Sequence, residues 1–142
     1  MKLGQLVDRR GDLILFLEAV WWLFFASLTI RLLPFKTLAK LLTPRVAGKT
    51  IDGELRCKCL QKVRWAVIAA SRRVSWRAVC FHRGIAVQRM LCRRGIAAQL
   101  HYGVGNGETG LAAHVWVSAG DVIVVGGETA EGFVEITVFP PR

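Results

Sequence analysis

The stretch CFHRGIAVQRMLCRRGIAAQLHYGV, residues 80–104, contains the change of pattern that decides the fold. From Cys80 to Arg94 it has the apolar spacing of a helix, and two arginines stand at the end where a helix dipole is negative. Gly95 follows at the position where helices commonly end in a left-handed residue. From Ala97 onward, β-branched and aromatic segments alternate with Gly-containing turns. The sequence therefore predicts a helix followed by a sheet.

Four short segments after the glycine have the composition of strands, namely residues 97–104, 112–117, 122–125 and 133–138. Tight turns such as Ser118-Ala119-Gly120-Asp121 separate them. Because strands that are adjacent in sequence usually pair, we expect an antiparallel meander packed on the preceding helix. The fold class predicted is α+β, with helices first and an antiparallel sheet after them.

Helices are also predicted upstream of residue 80. The segment from Asp12 to Leu42 is helical in composition, with a break at Pro34 and a second helix over 35–42, and a third helix covers about 55–71. Residues 44–53 resemble a linker because they contain one proline and two glycines. We therefore expect an apolar helical N-terminal segment, residues 1–50, and a core domain, residues 51–142.

The first helix contains an apolar run, residues 13–30, in which Glu18 is the only charge. At helical rise, such a run is about 27 Å long, near the lower limit for crossing a bilayer. Basic residues flank it on both sides and give no clear orientation in a membrane. A helix buried against the rest of the chain or a partner is therefore favoured over a membrane span, and contact with a membrane surface through residues 13–33 stays open.

Charge is distributed very unevenly along the 142 residues, whose formal net charge is +10. No carboxylate occurs between Glu54 and Glu108, while basic residues are frequent there. This region should attract an anionic partner, although solvated helix faces would explain the same charges. A hydrophobic fraction of 53% excludes a disordered chain.

The four cysteines, Cys57, Cys59, Cys80 and Cys92, lack the spacing of a zinc site or a disulfide scaffold. No metal is therefore expected, and free thiols are typical of a reducing cytoplasm. The chain also lacks a glycine-rich nucleotide loop followed by Lys and Ser or Thr, so ATP consumption by this chain alone is not expected. No cofactor is predicted.

Cys80 and His114 are the candidate catalytic residues. A thiol at a helix N-terminus lies at the positive end of the dipole and ionises more easily, and Arg77 and Arg83 are close in sequence. An imidazole on a facing strand would complete a nucleophile and base pair, with backbone N–H groups of the helix start as oxyanion donors. The alternative is that Cys80 is a small buried apolar residue and His114 an ordinary strand histidine.

Several segments in fixed order carry a family resemblance: SWRAVC (75–80), AVQRML (86–91), RRGIAAQL (93–100), GV (103–104) and AHVWV (113–117). This arrangement resembles the transglutaminase-like proteins of lasso-peptide biosynthesis, which are leader peptidases. The resemblance implies a papain-like core with a Cys–His–Asp site, in which Cys80 and His114 match the first two members. It also implies three partners, which are the leader–core precursor peptide, a leader-recognition protein and an ATP-dependent macrolactam cyclase, and no nucleic acid.

The third member of the site departs from the family pattern, because the position of the family aspartate falls near Gly126. Glu128, two residues farther along an expected strand, is the preferred acid, and Asp121 in the turn is the alternative. A backbone carbonyl or an amide could orient the imidazole instead, which would leave a Cys–His dyad. Trp76 is a candidate for the cleft wall or the oxyanion site, and core packing explains it equally well.

The preferred function is a cytoplasmic cysteine peptidase, free or membrane-associated, that removes the leader from a lasso-peptide precursor. Two other functions stay open. A non-catalytic basic binding module would hold nucleic acid, acidic lipid or a protein, and its Cys–His pair would be incidental. A transglutaminase-type acyltransferase would use the same thiol chemistry with an amine as acyl acceptor.

Overall fold

The computed structural model describes residues 9–42, 52–76 and 78–140. In these ranges the chain forms helices first and strands afterwards, which confirms the predicted α+β class. The elements are α1 (Arg9–Leu32), α2 (Phe35–Leu41), α3 (Gly53–Arg73), α4 (Cys80–Arg93), β1 (Gln99–Gly107), β2 (Gly110–Ala119), β3 (Val122–Val125), the short 3-10 helix η1 (Gly127–Gly132) and β4 (Phe133–Phe139). The predicted boundary between residues 50 and 51 lies outside the described residues.

The transition from α4 to β1 follows the sequence prediction closely. Gly95 adopts a left-handed conformation with φ of +76°, which glycine tolerates without steric cost. Its N–H donates to the Cys92 carbonyl, and the Ile96 N–H donates to the Leu91 carbonyl, so the last turn of α4 is capped. The chain then turns back and enters β1.

The sheet is antiparallel with strand order β3-β2-β1-β4. The meander prediction is correct for the first three strands and wrong for β4, which pairs with β1 instead of β3. The physical reason is η1: after Gly126, the chain coils through residues 127–132 and crosses to the other edge of the sheet. In the β1–β2 ladder, His114 stands opposite Gly103.

Helix α4 packs directly on the sheet. A Cβ on Gly84 would lie 2.7 Å from Val115 Cγ1 and 3.2 Å from Leu100 Cδ1, so the helix approaches β1 and β2 closely at this point. Gln88, one turn farther along, is completely buried. The close packing of α4 on the sheet fixes the position of its first residue, Cys80.

Helix α1 belongs to the same hydrophobic core as α3 and α4. Ala19 and Leu23 are fully buried, which agrees with the expected helix packed on the rest of the chain. Glu18, the single charged residue in the apolar run, is neutralised by ion pairs with Arg93 at 3.3 Å and with Arg94 at 2.6 Å. By length and composition alone, with a mean hydropathy of 2.1, α1 could cross a membrane, but core helices of soluble proteins have the same properties.

The opposite side of α1 is apolar and exposed. Trp21, for example, retains 58% of its accessible surface. We call this side the outer α1 face; it consists of Leu13, Ile14, Leu17, Trp21, Phe24, Leu28 and Leu32. Such a contiguous apolar row on a surface is typical of a contact site for a protein or a membrane.

Candidate active site

One cavity, of about 370 Å³, contains both candidate catalytic residues. We call it the Cys80 cavity. Its walls come from α3, α4, β2, β3 and η1, and its lining residues are Arg64, Ile68, Arg72, Cys80, Arg83, His114, Val115, Val125, Gly126, Glu128 and Thr129. The fold therefore brings together Cys80 and His114, which lie on different elements.

Cys80 is the first residue of α4, and its free thiol is half-buried. Val79 before it is extended, and the Val79 carbonyl accepts the first hydrogen bond of the helix, from the Arg83 N–H at 3.2 Å. The N–H groups of the first turn have no partner within the helix and lie at the positive end of its dipole. This position combines a nucleophilic atom with donors that could hold an oxyanion. Arg77 lies outside the described residues.

Two of the other cysteines have environments that disfavour reaction. Burial raises the pKa of Cys59, and Arg94 opposes this shift only in part. Burial also raises the pKa of Cys92. A thiol with a raised pKa is less ionised at neutral pH and is therefore less nucleophilic. Cys57 is exposed and serves as an internal reference thiol.

The imidazole of His114 is held through one nitrogen. Its Nε2 lies 2.7 Å from the carbonyl oxygen of Gly126 and 3.0 Å from Oγ1 of Thr129. Since a carbonyl can only accept a hydrogen bond, Nε2 must carry the proton, and in the neutral ring Nδ1 therefore keeps the lone pair. Phe133 packs on the ring with centroids 5.1 Å apart. These contacts fix both the tautomer and the orientation of the imidazole, with Nδ1 available to accept a proton.

A backbone carbonyl thus contacts the imidazole where the resemblance noted in the sequence implied an acid. Glu128 does reach the cavity rim, but its carboxylate pairs with Arg64 at 2.7 Å. The expectation that Glu128 continues a strand is wrong, because the chain enters η1 directly after Gly126. Asp121 lies exposed in the turn between β2 and β3.

Trp76 is half-buried and packs in the core rather than along the cavity. Its ring contacts Phe24 of α1 edge to face, with centroids 6.2 Å apart. Its indole Nε1 is buried and has no hydrogen-bond partner within the described chain. Of the two interpretations left open by the sequence, these contacts correspond to core packing.

The other two histidines lie outside the Cys80 cavity. Burial lowers the pKa of His82, and the charge of Arg31 lowers it further, so the neutral form of this imidazole is favoured. His101 is buried in the sheet, where Nδ1 lies 2.6 Å from Glu135 and Nε2 lies 2.7 Å from Ser118. Within the described ranges, no three His, Cys, Asp or Glu side chains gather as a metal site.

The sequence analysis placed Arg83 near Cys80 but did not single out Thr129 or the two arginines that α3 contributes to the cavity wall, Arg64 and Arg72. Arg64, Ile68 and Arg72 follow each other at intervals of four residues, so helical spacing places them on one face of α3. That spacing was visible in the sequence, but which face of α3 meets the cavity depends on how α1 packs. Thr129 gave no local signal, because it reaches the imidazole only through the coil of η1.

Comparison with known families gives one match, to the Transglutaminase-like superfamily, over residues 20–138. The matched region contains Cys80, His114 and η1, and it extends over most of the chain. No curated protein and no solved structure gives a significant match. The helices followed by an antiparallel sheet, with a thiol at a helix start and a histidine on a strand, agree with this assignment. The chain therefore belongs to the transglutaminase-like superfamily.

Proposed function

We propose that the protein is a cysteine peptidase that removes the leader from a lasso-peptide precursor. The observation that carries the proposal is the Cys80 cavity, in which a helix-start thiol lies with a histidine whose Nε2–H is fixed by the Gly126 carbonyl. The superfamily is compatible with a cysteine peptidase or an acyltransferase. The segments 75–80 and 113–117, which carry the lasso-peptide resemblance, provide the finer assignment.

In the proposed mechanism, the Cys80 thiol gives its proton to Nδ1 of His114, and the sulfur attacks the scissile carbonyl carbon. The N–H groups of the first turn of α4 stabilise the oxyanion. His114 then protonates the leaving amine, which departs and leaves a thioester on Cys80. A water molecule gives a proton to His114 and attacks the thioester, and the carboxylate product and the thiol are released. The Gly126 carbonyl holds the imidazole throughout these steps and stabilises its protonated form.

The proposal includes a leader-recognition protein and an ATP-dependent cyclase as partners. The outer α1 face supports a docking role, because its apolar row is exposed. Residues 13–33 would make the contact with such a partner or with the cytoplasmic surface of a membrane. The leader peptide itself would enter at the Cys80 cavity.

The first test is the rate at which iodoacetamide alkylates Cys80 in the full-length protein at neutral pH, followed by intact-mass spectrometry and peptide mapping. Cys80 should react faster than the exposed Cys57 of the same chain. His114→Ala should slow the reaction at Cys80, while the matched control His82→Ala should not. A Cys80 that reacts no faster than Cys57 would contradict an activated thiol and favour the non-catalytic binding module.

The second test is cleavage of a leader–core precursor in a reconstituted mixture with a leader-recognition protein. Cys80→Ala and His114→Ala should each lower the rate on the order of a hundredfold or more, and Cys57→Ala should leave it unchanged. Normal cleavage by Cys80→Ala would refute the mechanism. If a primary amine added to the mixture appears in the product mass in preference to water, the protein is an acyltransferase.

A further inference from the structure

The wall of the Cys80 cavity is strongly basic. Arg64 and Arg72 contribute from α3, and Arg83 contributes from the first turns of α4, three residues after the thiol. Glu128 is the one carboxylate among the residues that line the cavity. It pairs with Arg64, so two arginines of the cavity wall, Arg72 and Arg83, remain to be explained.

Arg72 and Arg83 take part in no ion pair within the described chain. Arg83 is half-buried, and its Nε is shielded from solvent without a hydrogen-bond partner. A shielded donor without an acceptor costs free energy, and the cost is larger when the group is charged. A bound anion would remove this cost, and a carboxylate accepts two parallel bonds from a guanidinium.

The ion pair between Arg64 and Glu128 is easily exchanged. Both side chains are substantially exposed, at 49% and 66%, and such surface pairs contribute little net stability. In the free protein, the Glu128 carboxylate therefore pairs with Arg64 in the same way that an acidic side chain of a ligand would. An incoming carboxylate can displace it with little loss.

A second depression, which we call the α3 groove, continues the basic surface away from the thiol. It has a volume of about 710 Å³ and shares Arg64, Ile68 and Arg72 with the Cys80 cavity. Trp65, half exposed, adds an apolar surface to it. Alternating arginines and apolar side chains along a groove suit an extended peptide that carries both acidic and apolar residues.

We propose that Arg72 and Arg83 form a carboxylate subsite beside Cys80, which selects a peptide substrate with an acidic side chain close to the scissile bond. The inference rests on the proposed function and deepens it by naming the substrate class. A peptide carboxylate is favoured over nucleic acid because Arg83 is half-buried and both arginines line a cavity of about 370 Å³, which fits a few side chains. The α3 groove guides the acidic chain toward this subsite.

The test compares two alkylating reagents of similar size, the anion iodoacetate and the neutral iodoacetamide, at Cys80 of the full-length protein. The measured quantity is the ratio of their rates, with Cys57 of the same molecule as internal reference. Arg83→Gln and Arg72→Gln should each lower this ratio about threefold, the effect of one charge at about 6 Å in a water-like medium. Arg83→Lys keeps the charge and should retain the ratio. The matched control is Arg10→Gln, an exposed arginine at the start of α1, which should leave the ratio unchanged.

An unchanged ratio in both Arg72→Gln and Arg83→Gln would overturn the subsite. Because a ratio can be measured for a slow thiol as well, this result is independent of the proposed peptidase activity, which the absolute rate with iodoacetamide tests. A protection experiment separates the two classes of anion. A capped tetraglutamate peptide should protect Cys80 at lower concentration than a thymidine oligonucleotide of equal charge. Better protection by the oligonucleotide would overturn the assignment to an acidic peptide.

Discussion

Replacing Gly126 by aspartate introduces the carboxylate that the family pattern expects, yet the structure predicts that this change damages the site. Gly126 has φ of +82°, and a Cβ there would lie 2.6 Å from the Val115 carbonyl oxygen and 3.0 Å from Trp116 Cα. Both neighbours are backbone atoms of β2 and cannot rotate away. The left-handed conformation alone costs a non-glycine residue about 1–2 kcal/mol. The collision adds to this cost, so we expect Gly126→Asp to lower the free energy of unfolding by at least about 2 kcal/mol.

The effect on the site follows from the same geometry. To relieve the collision, residue 126 must move, and its carbonyl then leaves the position 2.7 Å from His114 Nε2. The hydrogen bond from His114 Nε2 to this carbonyl contributes about 1 kcal/mol. If it orients the imidazole as the proposed base, its loss should lower the alkylation rate of Cys80 several-fold.

The measurements are urea denaturation and the rate of Cys80 alkylation, each compared with Gly132→Ala. Gly132 is the last residue of η1, the 3-10 helix that begins directly after Gly126. A Cβ there would meet no atom within 4 Å, so this control should stay within about 0.5 kcal/mol of the parent protein. A Gly126→Asp protein with parental stability and faster alkylation would refute the argument, because the carboxylate would then fit and support His114 better than the carbonyl.

Three further substitutions test other contacts, one of them also at His114. Arg94 holds the pKa of Glu18 below its ordinary value of 4.5, so Glu18→Gln should lower stability at pH 7 by about 1–3 kcal/mol. A carboxyl whose pKa is lowered by folding stabilises the protein above its ordinary pKa, and this stabilisation is lost as the pH falls. The difference in unfolding free energy between Glu18→Gln and the parent protein should therefore shrink below pH 4.5 in urea titrations. Thr129→Val removes the hydroxyl beside His114 Nε2 and should slow Cys80 alkylation by about two- to tenfold with little change in melting temperature; a purely structural threonine would leave the rate unchanged. Gln88 is buried, and the two N–H groups of its Nε2 are shared among the carbonyls of Leu42, Ala98 and Phe139. Gln88→Leu should therefore cost about 1–3 kcal/mol in denaturant unfolding, and parental stability would show that these carbonyls find other donors.

The elements with local signals could be predicted from the sequence. Gly95 ends α4 because the chain adopts a left-handed conformation there, and the glycine after the last helical residues is a local signal for this ending. Pro34 separates α1 from α2 by the same kind of local rule. Cys80 could be assigned to a helix start because the helix pattern begins at that residue.

Features that depend on distant contacts could not be predicted. The pairing of β4 with β1 is a choice between two sheet edges, and the strand pattern of residues 133–138 is the same for either edge. The apolar run of α1 shows no preferred face in its composition, although its buried side includes the small residues Ala19 and Ala26. Only packing on α3 and α4 distinguishes this side from the outer α1 face.

The position of Glu128 shows why sequence distance from the histidine misleads at this site. Strand periodicity would have directed its carboxylate toward His114, but the left-handed turn at Gly126 starts η1, and the side chain reaches Arg64 instead. The same turn exposes the Gly126 carbonyl to the imidazole. One glycine therefore accounts for two properties of the cavity. The imidazole of His114 is oriented by a neutral acceptor, and the carboxylate of Glu128 pairs with Arg64 on the cavity wall. Because a neutral acceptor adds no negative charge beside the thiol, it does not offset the positive field of Arg72 and Arg83, on which the proposed carboxylate subsite depends.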